Sequence, residues 1–188
     1  MKIGYIIEGI SDEAFITGLR NRWCKHAKLE PLAFRGTALH PRKYPGFCKE
    51  GQLKGCDVVI VLKDSDEEDL NTVYTNAKKY LDAETLHYVI VGVPVRNIEC
   101  WMCANPEYIA SRYNCEPDDF RVKDPKAAFE RALNITNYER QFEKITALVQ
   151  EYPSLRPMLE KSSFKRFYDN VRDFAQQNGC QIPNEWDT

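Results

Sequence analysis

The chain has 188 residues, 43% of them hydrophobic, and a formal net charge of −2. That is enough apolar material for a buried core in one domain with an appended subdomain, and too much for a disordered chain. No apolar run approaches the roughly 20 residues that span a bilayer, and the N-terminus reads as a strand rather than a signal peptide, so a cytoplasmic protein without a membrane partner is expected.

Charge is uneven along the chain. Residues 1–50 carry nine basic against five acidic side chains, and residues 51–120 carry six against thirteen. A polyanion would therefore meet an acidic centre through basic flanks or metal ions. The seven cysteines are odd in number and irregularly spread, which argues for free thiols in a reducing compartment and against a disulfide framework.

The first element, KIGYIIEGISDEAF at residues 2–15, starts as an apolar run rich in β-branched residues, the mark of a strand buried on both faces. It ends in Glu8. Gly9 permits a tight turn, Ser11 or Asp12 can cap a helix, and Phe15, Ile16 and Leu19 share the face of a helix reaching residue 27. EPLAFRG at 30–36 reads as a short strand, and residues 37–55 as a loop with at most a helical turn.

A second buried strand spans 57–62 and runs into the acidic stretch KDSDEED. A helix is expected over 71–84, a third strand over 86–95, and a helix over 97–114 interrupted near Pro106. Strands alternating with helices imply a mostly parallel sheet with right-handed crossovers. From Glu116 onward the pattern is helical, over 124–134, 137–152 and 155–179. The expected organisation is therefore an α/β domain over 1–115 and a helical C-terminal extension over 116–188 packed on it.

Two buried strands thus end in carboxylates, Glu8 after the first and Asp64, Asp66 and Glu68 after the second. Ligands of open α/β sheets sit beyond the carboxyl ends of the strands. Convergent carboxylates repel one another and raise each other's pKa, and a cation relieves that. Oxygen donors with no His or Cys among them favour Mg²⁺ first and Mn²⁺ second. Taken alone, Glu8 reads better as a capping or ion-paired carboxylate than as a catalytic one, and DSDEED better as a solvated turn than as a metal site. Together, two acidic strand ends in this order favour a metal site.

IIEG at the end of the first strand and VLKDSDEED at the end of the later one resemble the two signature motifs of the toprim fold, found in topoisomerases, bacterial primases and the overcoming-lysogenization-defect (OLD) nucleases. The resemblance covers the first 115 residues in element order. It implies a Rossmann-like toprim fold in which Glu8 handles a proton and Asp64 and Asp66 bind Mg²⁺. Glu68 corresponds to a further acidic position, although Asp69 follows it where the topoisomerase-like pattern has glycine. Asp12 resembles the additional acid of OLD-type nucleases and would serve a second ion. RNIECWMCANPEYI is similar to a Glu-x-Trp segment of small stand-alone toprim-like proteins of unknown function; Glu99 then reads either as a further metal ligand or as an acid suited to a helix N-terminus.

The cations have two readings each. Arg42 and Lys43 lie in a basic, aromatic-rich stretch with Lys28, Arg35, His26, His40, Phe34, Tyr44 and Phe47, which suits phosphate contact and base stacking or an ordinary solvated loop. Lys63, beside the acidic run, and Lys165 with Arg166 in SSFKRFYDN are further candidate substrate contacts, because phosphoryl transfer needs cations opposite its carboxylates. Cys100 and Cys103 in CWMC lack the second knuckle of a structural zinc site, and Cys115 and Cys180 are poorly spaced for one, so the cysteines read as buried packing groups.

The expected function is a Mg²⁺-dependent phosphodiester-cleaving protein acting on DNA or RNA. No tyrosine has a topoisomerase context, which favours hydrolysis. The competing expectation is a toprim-like binding or regulatory subunit beside a separately encoded ATPase, since the chain has no Walker GxxxxGK[ST] motif. A receiver-like or phosphatase-like domain fits less well, for want of the serine or threonine strand and lysine strand it requires. A homodimer is compatible with either leading reading.

Overall fold

The computed structural model describes residues 1–34, 40–180 and 182. Its centre is a four-stranded sheet in the order β2-β1-β3-β4, every neighbouring pair parallel, formed by β1 (Lys2–Ile7), β2 (Lys28–Phe34), β3 (Val58–Leu62) and β4 (Val89–Gly92). Parallel strands must be joined by crossovers, and helices supply them: α1 (Ile10–Trp23) between β1 and β2, α2 (Tyr44–Leu53) between β2 and β3, α3 (Leu70–Lys78) and α4 (Ala83–Leu86) between β3 and β4. After β4 come α5 (Glu99–Met102), α6 (Pro106–Tyr113), α7 (Lys126–Ala132), α8 (Tyr138–Glu151), α9 (Arg156–Leu159) and α10 (Ser162–Gln177). The protein is an α/β fold with helices on both faces of a parallel sheet.

Side chains that alternate along the strands divide into two cores. One face sends Tyr5, Ile7, Ile60, Leu62 and Ile90 against α1, α8 and α10; the other sends Ile6, Val59, Val61 and Val91 against α2 and α3. The C-terminal helices belong to the first core. Phe164 meets Phe15 edge-on with centroids 6.2 Å apart, Phe167 stacks on Trp101 at 5.5 Å, and Tyr168 meets Trp23 edge-on at 5.4 Å. Helix α8 lies so close to α1 that a Cβ built on Gly18 would stand 2.6 Å from Cβ of Val149. Burying several aromatic side chains of this kind stabilises the fold by roughly 1.5–3 kcal/mol each.

Several boundaries differ from those read off the sequence. The stretch 37–55, expected as a loop, holds α2, whose Pro45, Gly46 and Gly51 weaken its helical signature. Gly51 has a packing reason: a Cβ there would stand 3.0 Å from both Leu32 Cδ1 and Val59 Cγ2, so the glycine seats the helix on the sheet. The helix expected over 71–84 is two helices, and the strand expected over 86–95 narrows to Val89–Gly92. The cap of α1 is Gly9 rather than Ser11 or Asp12, and Asp12 reaches back to it from three residues into the helix.

The cysteines are also not all free: Cys24 and Cys180 form a disulfide across 156 residues, with Cα atoms 5.6 Å apart. Spacing gave no sign of it, because packing of α10 along α1 brings the two ends together. Cys48, Cys56 and Cys103 are buried free thiols. Among the described residues, no helix is long and apolar enough to cross a membrane.

Candidate metal centre

The carboxyl ends of β1 and β3 are adjacent because those strands pair in register, Ile6 opposite Val61. Glu8 follows β1, Asp64 follows β3, Asp12 lies in the first turn of α1, and Glu99 is the first residue of α5. These four carboxylates line one cleft of ≈ 470 Å³, which Lys126, Glu130, Tyr138 and Gln141 complete from α7 and α8. The helical extension thus builds one wall of the site.

Each acid is held differently. Asp12 is only 4% exposed, and its Oδ2 accepts hydrogen bonds from the backbone N–H groups of Glu8 at 3.0 Å and Gly9 at 2.9 Å. Burial pushes Asp12 up to about 7, the charges of Glu99 and Glu8 adding to that rise and the Gly9 and Glu8 N–H groups opposing it. Asp64 is pushed up to about 9, first by burial and then by Asp12, Glu8, Glu99 and Asp66. Glu99 is buried and also raised; burial is the main cause, while a hydrogen bond from the Ser11 hydroxyl and the Lys126 ammonium pull the other way. Lys126 answers by rising above the ordinary lysine range, chiefly through the Glu99 charge. Lys63 donates to Glu8 Oε1 and fixes that carboxylate at the mouth of β1.

The loops at this end are tied together. Ser65 and Asp66 donate their N–H groups to the carbonyls of Pro94 at 3.2 Å and Arg96 at 3.0 Å, and Arg96 N–H donates to Ser65 Oγ at 2.8 Å. Asp66 adopts a left-handed turn, φ 51°, and stands exposed with Glu68 rather than lining the cleft. Only Asp64 of the Asp-x-Asp pair lines it, although the Asp66 charge is felt at both Asp64 and Lys63.

The candidate cations are scattered. Arg42 and Lys43 are exposed; the Arg42 guanidinium donates from Nε to the Tyr80 hydroxyl at 3.2 Å and lies over that ring. Arg35 and the side chain of Phe34 fall outside the described residues. Arg166 borders a separate cleft of ≈ 200 Å³, with its guanidinium over the Tyr74 ring at 4.7 Å, while Lys165 pairs with Asp169 along α10 at 2.6 Å. Neither lines the carboxylate cleft. Lys126 lines it and Lys63 reaches it through Glu8; Lys126 had no motif to announce it, standing at the start of an ordinary amphipathic helix. Tyr44, read with the basic stretch as a stacking aromatic, is instead fully buried; its hydroxyl is unpaired among the described residues, and the Glu8 charge reaches it. Trp101 of the Glu-x-Trp segment is a core residue, 1% exposed, donating from Nε1 to Ser163 Oγ at 2.9 Å.

The donor set of the cleft is all oxygen, and it is open: among the described residues, no three of these carboxylates bring oxygen atoms within 4.8 Å of one another. Mg²⁺ in general binds through one or two carboxylates while keeping several waters. No protein-family model, curated protein or solved structure matches this chain.

Proposed function

We propose that the protein is a toprim-like, Mg²⁺-dependent enzyme that cleaves phosphodiester bonds in nucleic acid. The observation that carries this reading is the cleft itself, where Glu8, Asp12, Asp64 and Glu99 arrive from three separate segments at the carboxyl end of a parallel sheet. Asp12 and Asp64 are raised towards and beyond neutrality by burial and mutual charge, the condition that a divalent ion relieves.

Asp64, with Asp12 or Glu99, would hold Mg²⁺, which when bound supplies Lewis-acid polarisation of a phosphate and a lowered pKa for water. Glu8 accepts and returns the proton, oriented by the Lys63 ammonium. Lys126 presents positive charge across the cleft, where a phosphate bearing developing negative charge would lie. Tyr138 and Gln141 give the wall of α8 polar groups for sugar or phosphate.

A second reading, a non-catalytic toprim-like subunit acting with a separate ATPase, is favoured by Asp66 and Glu68, which stand on the exposed loop away from the cleft. Calorimetric titration with Mg²⁺ and Mn²⁺ beside cleavage assays on single- and double-stranded DNA and RNA separates the two. Metal-dependent cleavage that disappears in Asp64→Asn supports the enzyme. Metal binding without cleavage of any substrate, even with a candidate ATPase present, leaves the regulatory reading, and absence of divalent binding ends the metal-dependent enzyme.

A further inference from the structure

We infer that Cys24, His26 and Cys180 form a redox-gated zinc site: the reduced pair, with His26, binds one Zn²⁺, and the disulfide excludes it. Cys24 ends α1, its N–H donating to the Arg20 carbonyl at 2.8 Å, and Cys180 follows α10, its N–H donating to Ala175 at 2.9 Å. Both sulfurs belong to buried residues, 5% and 4% exposed, whereas the imidazole beside them belongs to an exposed residue. Among the described residues, these are the one group of three potential ligands whose donor atoms all lie within 4.8 Å of one another.

The spacing is that of a zinc polyhedron. His26 Nε2 lies 3.5 Å from Cys24 Sγ and 3.7 Å from Cys180 Sγ. A tetrahedral ion about 2.3 Å from sulfur and about 2.05 Å from nitrogen sets those atoms about 3.5 Å apart. Two edges of the site are therefore already in place, and the third requires that the sulfurs separate. Cys180 sits in the segment after the last helix, so its displacement would disturb no strand. Two thiolates and an imidazole are soft and borderline donors that select Zn²⁺ over Mg²⁺, and the exposed side leaves a fourth position for water.

The chemistry balances. A dithiol or phosphine reduces the S–S bond with two electrons, and two protons complete the thiols. Zn²⁺ then displaces those two protons and takes the two thiolates and neutral His26 as ligands. A peroxide reverses this: the thiolates give up two electrons and form the S–S bond, the peroxide takes those electrons with two protons and leaves as two waters or alcohols, and Zn²⁺ is released. In both states the segment after α10 stays fastened to the end of α1.

The test uses the full chain, reduced with a phosphine, freed of it anaerobically, and titrated with Zn²⁺ against a chromophoric chelator, with Co²⁺ as a coloured substitute. One equivalent bound by the reduced protein and none by the oxidised protein, a thiolate-to-Co²⁺ charge-transfer band, and zinc release on adding hydrogen peroxide are expected. Cys180→Ser should lose the charge-transfer band and the tight equivalent; His26→Ala, an exposed substitution that leaves the core untouched, should weaken zinc binding and change the Co²⁺ spectrum. No zinc bound by the reduced chain, binding without the charge-transfer band, or unaltered binding in both variants would overturn the proposal.

Discussion

Helix α1 runs for 14 residues, about 21 Å at the usual rise, between two clusters of opposite character. At its start, beside Asp12, stand oxygen donors from segments close in sequence to two strand ends; at its finish stand two sulfurs and an imidazole, one sulfur supplied from 156 residues away. The first cluster is wide and rich in carboxylates, two of which are raised by burial first and by neighbouring acids second. The second is compact and covalently closed. On the readings proposed above, one end would take a hard cation and the other electrons or a soft one, so each end of the same helix can be probed with its own reagent.

The sharpest division should come from substitution at the carboxylate end. Asp64→Asn is expected to abolish Mg²⁺ binding in calorimetry and cleavage with it, yet to leave the melting temperature unchanged or raised, since the cost of burying a carboxylate, and the repulsion from its neighbours, leave with the ligand. Glu8→Gln should retain much of the metal affinity while cleavage falls by about 10²–10⁴-fold, the usual size of general acid–base catalysis. Equal losses of metal and activity in both variants would erase the distinction between holding an ion and moving a proton.

Reduction should act only at the other end. Opening Cys24–Cys180 frees a loop of 156 residues in the unfolded chain, and disulfide removal of this kind costs about 2–5 kcal/mol. Denaturant titration with and without reductant should show that loss, with Mg²⁺ affinity unmoved. A change in Mg²⁺ affinity on reduction would show the two ends to be coupled through α1.

A smaller effect separates the ends by pH. Asp12 at about 7 and Asp64 at about 9 retain protons in the fold that the unfolded chain has released by about pH 4. The folded state therefore binds more protons, and metal-free stability, complete below pH 4, falls as pH rises through 7 and 9. Melts in chelator should show a lower midpoint at pH 9 than at pH 5, Mg²⁺ should recover it at the higher value, and Asp64→Asn should flatten the slope. Smallest is the contribution of the exposed stretch before α2: replacing Arg42 and Lys43 with alanine should weaken nucleic-acid binding and reduce its salt slope by about two. An unchanged slope would assign both to the solvated surface.

How far each cluster could be read from sequence follows from how it is assembled. Glu8 and Asp64 were legible because each ends a run of buried β-branched residues, and strand pairing turns that local pattern into proximity. Asp66 was legible as an acid but not as to direction, which a left-handed φ decides. Glu99 was left between two roles, and it fills both positions, starting α5 and lining the cleft. Lys126 and Cys180 had no local signature, since only the docking of the C-terminal helices carries them to their partners. Helix α2 was concealed by residues that favour turns in isolation and close contact with the sheet in the fold.

The docking of α8 on α1 and of α10 on β4 bears on how the chain folds as it is synthesised. When β4 has left the ribosome all four strands exist, and α2 and α3 can already cover one side of the sheet. The opposite side, with Tyr5, Ile60 and Leu62, has α1 but still lacks Phe164, Phe167 and Tyr168. Exposed apolar surface of this kind is what chaperones bind and what drives aggregation of incomplete chains. The sheet therefore waits, half covered, until α10 has cleared the exit tunnel.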